Sequence, residues 1–186
     1  MLPLQLQLTL PPWIGDVADA QRRYVSDEER VGLAIELSRQ NVAHGSGGPF
    51  GAAVFEADSG RLVAVGVNRV LPQSCSLAHA ETMALMLAQQ HLGQPRLNQA
   101  GGRYVLASSA QPCCQCYGAM VWAGIDVLLI GARAEDVESL AHFDEGPLPA
   151  DWVGELTRRR IAVRRDILRE SARTVLAAYG AGGASY

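Results

Sequence analysis

The 186-residue chain contains no lysine: all 16 basic side chains are arginine, against 19 acidic ones, for a net charge of −3. A protein that grips a nucleic-acid backbone normally carries a basic surplus, so this balance speaks against a nucleic-acid partner. Seven of the arginines fall between Arg158 and Arg173, and a solvated helix face accounts for them. Long apolar runs are missing too. None approaches the roughly 20 residues that a membrane span requires, so no membrane partner is expected. The opening MLPLQLQLTLPPW has no Arg or Lys ahead of its apolar part, and its leucines alternate with glutamine. It reads as an extended arm, not a signal peptide, which makes the cytoplasm the expected compartment. Cysteine is scarce. Four in a cytoplasmic chain point to metal binding or catalysis before disulfides.

What remains is globular composition, 48% hydrophobic and 19% charged, enough to fill a core. The length suits one domain over residues 26–186, preceded by an arm over 1–25 in which Pro3, Pro11 and Pro12 limit regular structure. Ser26, followed by Asp27, Glu28 and Glu29, predicts a helix start, and Val31, Leu33, Ala34, Ile35 and Leu37 give that helix an apolar side as far as about residue 44. Gly45, Gly47, Gly48 and Pro49 end it. Strands are expected over 50–56 and 62–70, joined by the turn residues Asp58, Ser59 and Gly60. The pattern then predicts a helix over 79–92, a strand over 103–107, a helix over 113–123 and a strand over 126–130. A short helix over 135–140, a loop over 143–149, a strand over 161–164 and a helix over 166–179 follow. Five strands alternating with helices predict a three-layer α/β/α sandwich around one mixed sheet.

Two short motifs carry the chemistry: His79-Ala80-Glu81, and Pro112-Cys113-Cys114-Gln115-Cys116. Each opens a predicted helix directly after a strand or loop. Zinc takes about four tetrahedral ligands, and a catalytic zinc keeps one position for water. His79, Cys113 and Cys116 supply three ligands. The positive end of a helix favours the thiolate form that a metal needs. Glu81 lies close to those ligands without being one, and a carboxylate so placed can carry a proton from water to a leaving amine. This His-x-Glu and Pro-Cys-x-x-Cys pairing resembles the signature of zinc deaminases that act on nucleobases. A closed structural zinc site would need a fourth ligand, for which Cys75 is the nearby candidate. Cys114 is expected to be buried packing, Trp122 packing or a subunit contact, and His44, His91 and His142 lone surface or core histidines. By composition alone, Asp144 and Glu145 read as a solvated turn before Gly146-Pro147.

These motifs resemble the cytidine-deaminase superfamily and, within it, the bacterial guanine deaminases. The resemblance runs in order over 47–179, through the Gly48-Pro49-Phe50-Gly51-Ala52-Ala53-Val54-Phe55 run, Asn68-Arg69-Val70, the two metal motifs and Phe143-Asp144-Glu145-Gly146-Pro147. The last is similar to guanine deaminases that also accept the triazine ammeline. The resemblance implies one Zn2+ per subunit on His79, Cys113 and Cys116, with Glu81 as principal acid/base and Glu145 as a second proton shuttle. Asn68 and the backbone amide of Ala80 would bind the base, Phe50 would stack on it, and Asp144 would line the same pocket. It further implies a homodimer in which residues 150–186 pack onto the partner and Tyr186 closes the site. Many relatives have Glu and Met where this chain has Gln111 and Gln115, which bears on substrate choice. The expected reaction is guanine to xanthine plus ammonia. Ammeline, guanosine, cytosine or another aminated heterocycle are alternatives, as are a tRNA adenosine deaminase and a non-catalytic protein stabilised by zinc.

Overall fold

The computed structural model describes residue 2 and residues 4–182. In chain order the elements are α1 (Ile14–Val17), α2 (Asp27–Ala43), β1 (Gly51–Glu56), β2 (Leu62–Val67), α3 (Val70–Gln73), α4 (Ala80–Leu92), a 3-10 turn (Leu97–Ala100), β3 (Tyr104–Ala110), α5 (Cys114–Ala123), β4 (Val127–Ala132), α6 (Ala134–Ala141), α7 (Trp152–Arg158), β5 (Ala162–Arg164) and α8 (Arg169–Ala181). The strands form one five-stranded sheet in the order β2-β1-β3-β4-β5. The β2–β1 and β1–β3 pairs are antiparallel, and β3–β4 and β4–β5 are parallel. This is the expected mixed sheet.

Alternation along the strands builds the three layers. Ala53, Phe55, Val105, Ala107 and Leu129 point to one face, where they pack with Val31, Leu33 and Leu37 of α2, Val137 of α6 and Val175 and Leu176 of α8. Ala52, Val54, Leu106, Leu128 and Ile130 point to the other, against Ala84 and Leu85 of α4, Met120 of α5 and Leu156 of α7. Both faces are buried, so the central strands β3 and β4 are buried at every position. The start of α2 is as expected: Ser26 Oγ accepts from the Glu29 amide, and the Glu29 carboxylate accepts from the Ser26 amide.

The structure corrects several expectations. The segment before Ser26 is not loose throughout. Leu10, Trp13, Ile14 and Val17 lie against the core and Tyr24 is buried, while Leu2, Leu4 and Leu6 are exposed. The second strand ends at Val67, short of residue 70, because Asn68 Oδ1 accepts from the Val70 amide and turns the chain into α3. α7 forms between the expected loop over 143–149 and the expected strand over 161–164, where no element was foreseen; it is capped by Asp151, whose side chain accepts from the Gly154 amide. The last helix begins at Arg169, after Leu168 in a left-handed conformation. The arginines of this region are not a free patch. Arg158 and Arg159 pair with Glu155, Arg164 with Asp27, and Arg169 and Arg173 with the buried Asp136. Together with the apolar contacts of Val175 and Leu176, the two pairs with Asp136 seat α8 on α6 of the same chain.

Candidate active site

Two helix starts meet at the site. His79 is the N-cap residue of α4 and Cys113 the N-cap residue of α5, both with extended backbone; Cys116 follows in the first turn of α5. The α4 start is pressed against the sheet, because a Cβ at Gly66 on β2 would lie 2.1 Å from the Ala80 carbonyl. A larger residue there would push His79 and Glu81 away from α5.

Cys113 Sγ lies 3.4 Å and Cys116 Sγ 3.6 Å from His79 Nδ1. All three ligand atoms fall within 4.8 Å of one another, and among the described residues this is the one such group; Cys75 is not part of it. Tetrahedral geometry with Zn–S of about 2.3 Å and Zn–N of about 2.0 Å sets N and S ligand atoms about 3.5 Å apart. The observed spacing and the two-sulfur, one-nitrogen donor set therefore fit zinc. Hydrogen bonds from Cys116 and His79 hold the Cys113 thiol far below its ordinary range, at about 4. The same bond with Cys113, together with burial, pushes the Cys116 thiol up, and His79 is raised by its bond to Cys113.

Glu81 sits in the first turn of α4 and is buried. Its Oε1 accepts from Ser108 Oγ at 3.1 Å and its Oε2 from Cys116 Sγ at 3.3 Å. Burial raises its pKa first, and the negative charge on Cys113 adds to that. Ser108 was not singled out in the sequence. Its signal would have been the Ser108-Ser109 pair on a largely apolar central strand, Tyr104–Ala110.

A cavity of about 350 Å³ opens beside the triad, lined among others by Phe50, Asn68, Ala80, Gln111, Asp144 and Glu145. The structure thus gathers the expected site residues that fall among the described ones; Tyr186 lies outside them. Asp144 is a turn residue as composition suggested, its side chain accepting from the Gly146 amide. Glu145 departs from that reading: it is 8% exposed, and burial, followed by Cys113 and Glu81, raises its pKa to about 9. The loop is pinned on both sides. The Glu145 carbonyl accepts from the Cys114 amide at 3.0 Å, and Phe143 packs between Phe50 and Tyr179, with ring centroids 5.3 and 5.8 Å away. Gly146, at φ +68, leaves no room for a Cβ beside Cys114 Sγ. Cys114 is accordingly exposed next to this loop, not buried in the core as expected. His142 lines the same cavity, while Phe50 is both a cavity wall and a packing partner.

A metal triad, a buried carboxyl at its side and a cavity of this size define a zinc-dependent deaminase class. Residues 25–132 match the cytidine and deoxycytidylate deaminase zinc-binding region, and the chain belongs to that family, whose members of this kind are hydrolases of amidine C–N bonds. Within it, the chain is 43% identical to the guanine deaminase of Nitrosomonas europaea, with 97% of this chain and 99% of that one covered and a TM-score of 0.91. The guanine deaminase of Bacillus subtilis is 34% identical over 112 residues, 60% of this chain and 67% of the relative. A tRNA-specific adenosine deaminase of Haemophilus influenzae is 31% identical over 127 residues, 67% of this chain and 70% of the relative. No helix among the described residues is long and apolar enough to cross a membrane.

Proposed function

We propose that this protein hydrolyses guanine to xanthine and ammonia. One observation carries the choice of substrate. The zinc-binding match ends at residue 132, before the Glu145 loop, whereas the likeness to the Nitrosomonas europaea guanine deaminase covers 97% of the chain and leaves room for only a handful of unaligned residues. A guanine deaminase structure 44% identical to this chain, with a TM-score of 0.90 over 96% of this chain and 98% of that one, holds 8-azaguanine. Its ligand is an isostere of the substrate proposed here.

In this reading His79, Cys113 and Cys116 hold one zinc, which supplies the Lewis acidity that makes water a nucleophile near neutral pH. Glu81 takes the proton of the attacking water and hands it to the ring nitrogen beside the reacting carbon. Ser108 fixes the orientation of the Glu81 carboxyl through its 3.1 Å hydrogen bond to Oε1. Glu145, protonated at neutral pH because it is buried, donates toward the departing amine. Asn68 and the Ala80 amide hold the base, and Phe50 flanks its plane.

Trp122, 80% exposed on α5, is an apolar surface that a second copy would cover, which supports the homodimer; light scattering of wild type and Trp122→Glu checks it. The substrate test is ammonia release from guanine, ammeline, guanosine, cytosine, adenine and tRNA. Turnover of guanine and ammeline is expected. Inosine formation in tRNA with inert guanine would replace this reading by the adenosine one.

A further inference from the structure

Gln111 is a polar cavity residue that the mechanism does not use. Its backbone is fixed at the end of β3, where the Gln111 amide donates to the Ala132 carbonyl at 2.9 Å. The residue is only 9% exposed and lines the cavity with Glu81 and Glu145. Its carboxamide makes no hydrogen bond among the described residues, and it is not sealed off either: among those residues the buried side-chain N or O atom without a partner is Gln94 Oε1, whereas Gln111 opens on the cavity. An amide that opens on the cavity can bond whatever enters it. The cavity itself is where a partner would come from.

The surrounding chemistry narrows what that partner is. Glu81, Asp144 and Glu145 are carboxyl groups, and Cys113 is a thiolate. Gln111 is neutral and presents a donor and an acceptor side by side in a plane. An aminopurine offers a matching edge at N1 and carbon 6: N–H beside C=O in guanine, or a ring nitrogen beside an amino group in 2,6-diaminopurine. Rotation of the carboxamide by half a turn exchanges its donor and acceptor, so one side chain suits both edges. Two solved structures of high similarity hold 8-azaguanine and 2,6-diaminopurine respectively, one of each kind.

We propose that Gln111 is a specificity-determining residue whose carboxamide reads the N1–C6 edge of the base while carbon 2 is presented to the metal triad. This rests on the assignment of an aminopurine substrate. The test compares wild type with Gln111→Met, which keeps the length and burial of the side chain and removes its hydrogen bonding. Binding of 8-azaguanine, 2,6-diaminopurine and 2-aminopurine is measured by calorimetry, and guanine kinetics in parallel. 2-Aminopurine has no substituent at carbon 6. Wild type is expected to prefer the first two by about tenfold or more, the scale of one buried hydrogen-bonded pair. In the variant both lose about tenfold, 2-aminopurine changes less than threefold, and the guanine KM rises more than kcat falls. Zinc content and melting temperature show that the variant is folded and loaded. Equal weakening of all three ligands would mean lost packing and overturn the proposal, as would no change in any. A wild-type protein that binds none of the three and leaves guanine intact would instead overturn the substrate assignment, and this inference with it.

Discussion

Glu81 and Glu145 share one cavity but are held by different means. Glu81 stands on the first turn of α4, with its Oε1 held by Ser108. Glu145 stands on a loop beyond α6, held through its backbone and the neighbouring Phe143, while its carboxyl has no hydrogen-bond partner among the described residues. The first is oriented by a bond to its own carboxyl and so is suited to receive and return a proton at one place. The second is positioned only by its backbone and kept protonated by burial, which suits a group that gives a proton and tolerates some motion. One edge of the site is thus built from helix starts and a metal, and the other from a pinned loop.

Removing the metal breaks the helix edge outright and has the largest expected effect. Dialysis against a chelator should reduce guanine turnover to background, and zinc should restore it. The melting temperature should fall as well, since a ligand bound only by the folded state stabilises it. Glu81→Gln comes next. It should lower kcat by about a thousandfold, within the range of general acid–base catalysis, while metal analysis still finds one zinc per chain. Loss of zinc in that variant would show that Glu81 is structural and would remove the proton-carrier assignment.

Glu145→Gln addresses the loop edge, with a smaller loss in kcat of about a hundredfold. It should also separate activity from stability. In the folded chain the Glu145 carboxyl titrates near 9, while in the unfolded chain it titrates near the ordinary value of about 4.3. Between those values the unfolded state holds fewer protons, so stability falls as pH rises through that window. Glutamine removes this term. The variant should therefore be more stable than wild type at pH 7, by about 1–3 kcal/mol, and the gain should vanish below about pH 4. Bound zinc offsets the charge on Cys113, one of the causes of the shift, but burial, the largest cause, remains. Urea titrations at pH 5 and pH 7 measure the difference.

The two edges were also unequally legible in the sequence. The helix edge is written in contiguous residues of unusual type: His79 and Glu81 two apart, Cys113 and Cys116 three apart, each at a helix start. Short, nearly continuous apolar runs bounded by turn residues gave the strands, since both sheet faces had to be filled. The loop edge has no such local signature. Asp144 and Glu145 are adjacent acids in a turn, and only the tertiary contacts of Phe143 with Phe50 and Tyr179 send one outward and bury the other; family resemblance alone pointed to Glu145. For the same reason Cys114 was misplaced, because its exposure depends on the loop that passes it. α7 escaped because its seven residues include a glycine and bury only Leu156, too few positions for a periodic pattern.

The smallest predicted effect sharpens the contrast most finely. Ser108→Ala leaves every metal ligand and both acids in place and removes only the hydroxyl that donates to Glu81 Oε1. If that bond orients the carboxylate, kcat should fall about five- to tenfold, the scale of one neutral hydrogen bond to a charged group, with the guanine KM unchanged. The acid limb of the kcat profile should also move to higher pH, because a hydroxyl that donates to the ionised form favours ionisation. The same truncation on the loop edge has no counterpart, since no side chain among the described residues bonds the Glu145 carboxyl. A Ser108→Ala enzyme with wild-type kcat and an unmoved acid limb would show that burial alone fixes Glu81, and the two carboxyls would then be held in the same way after all.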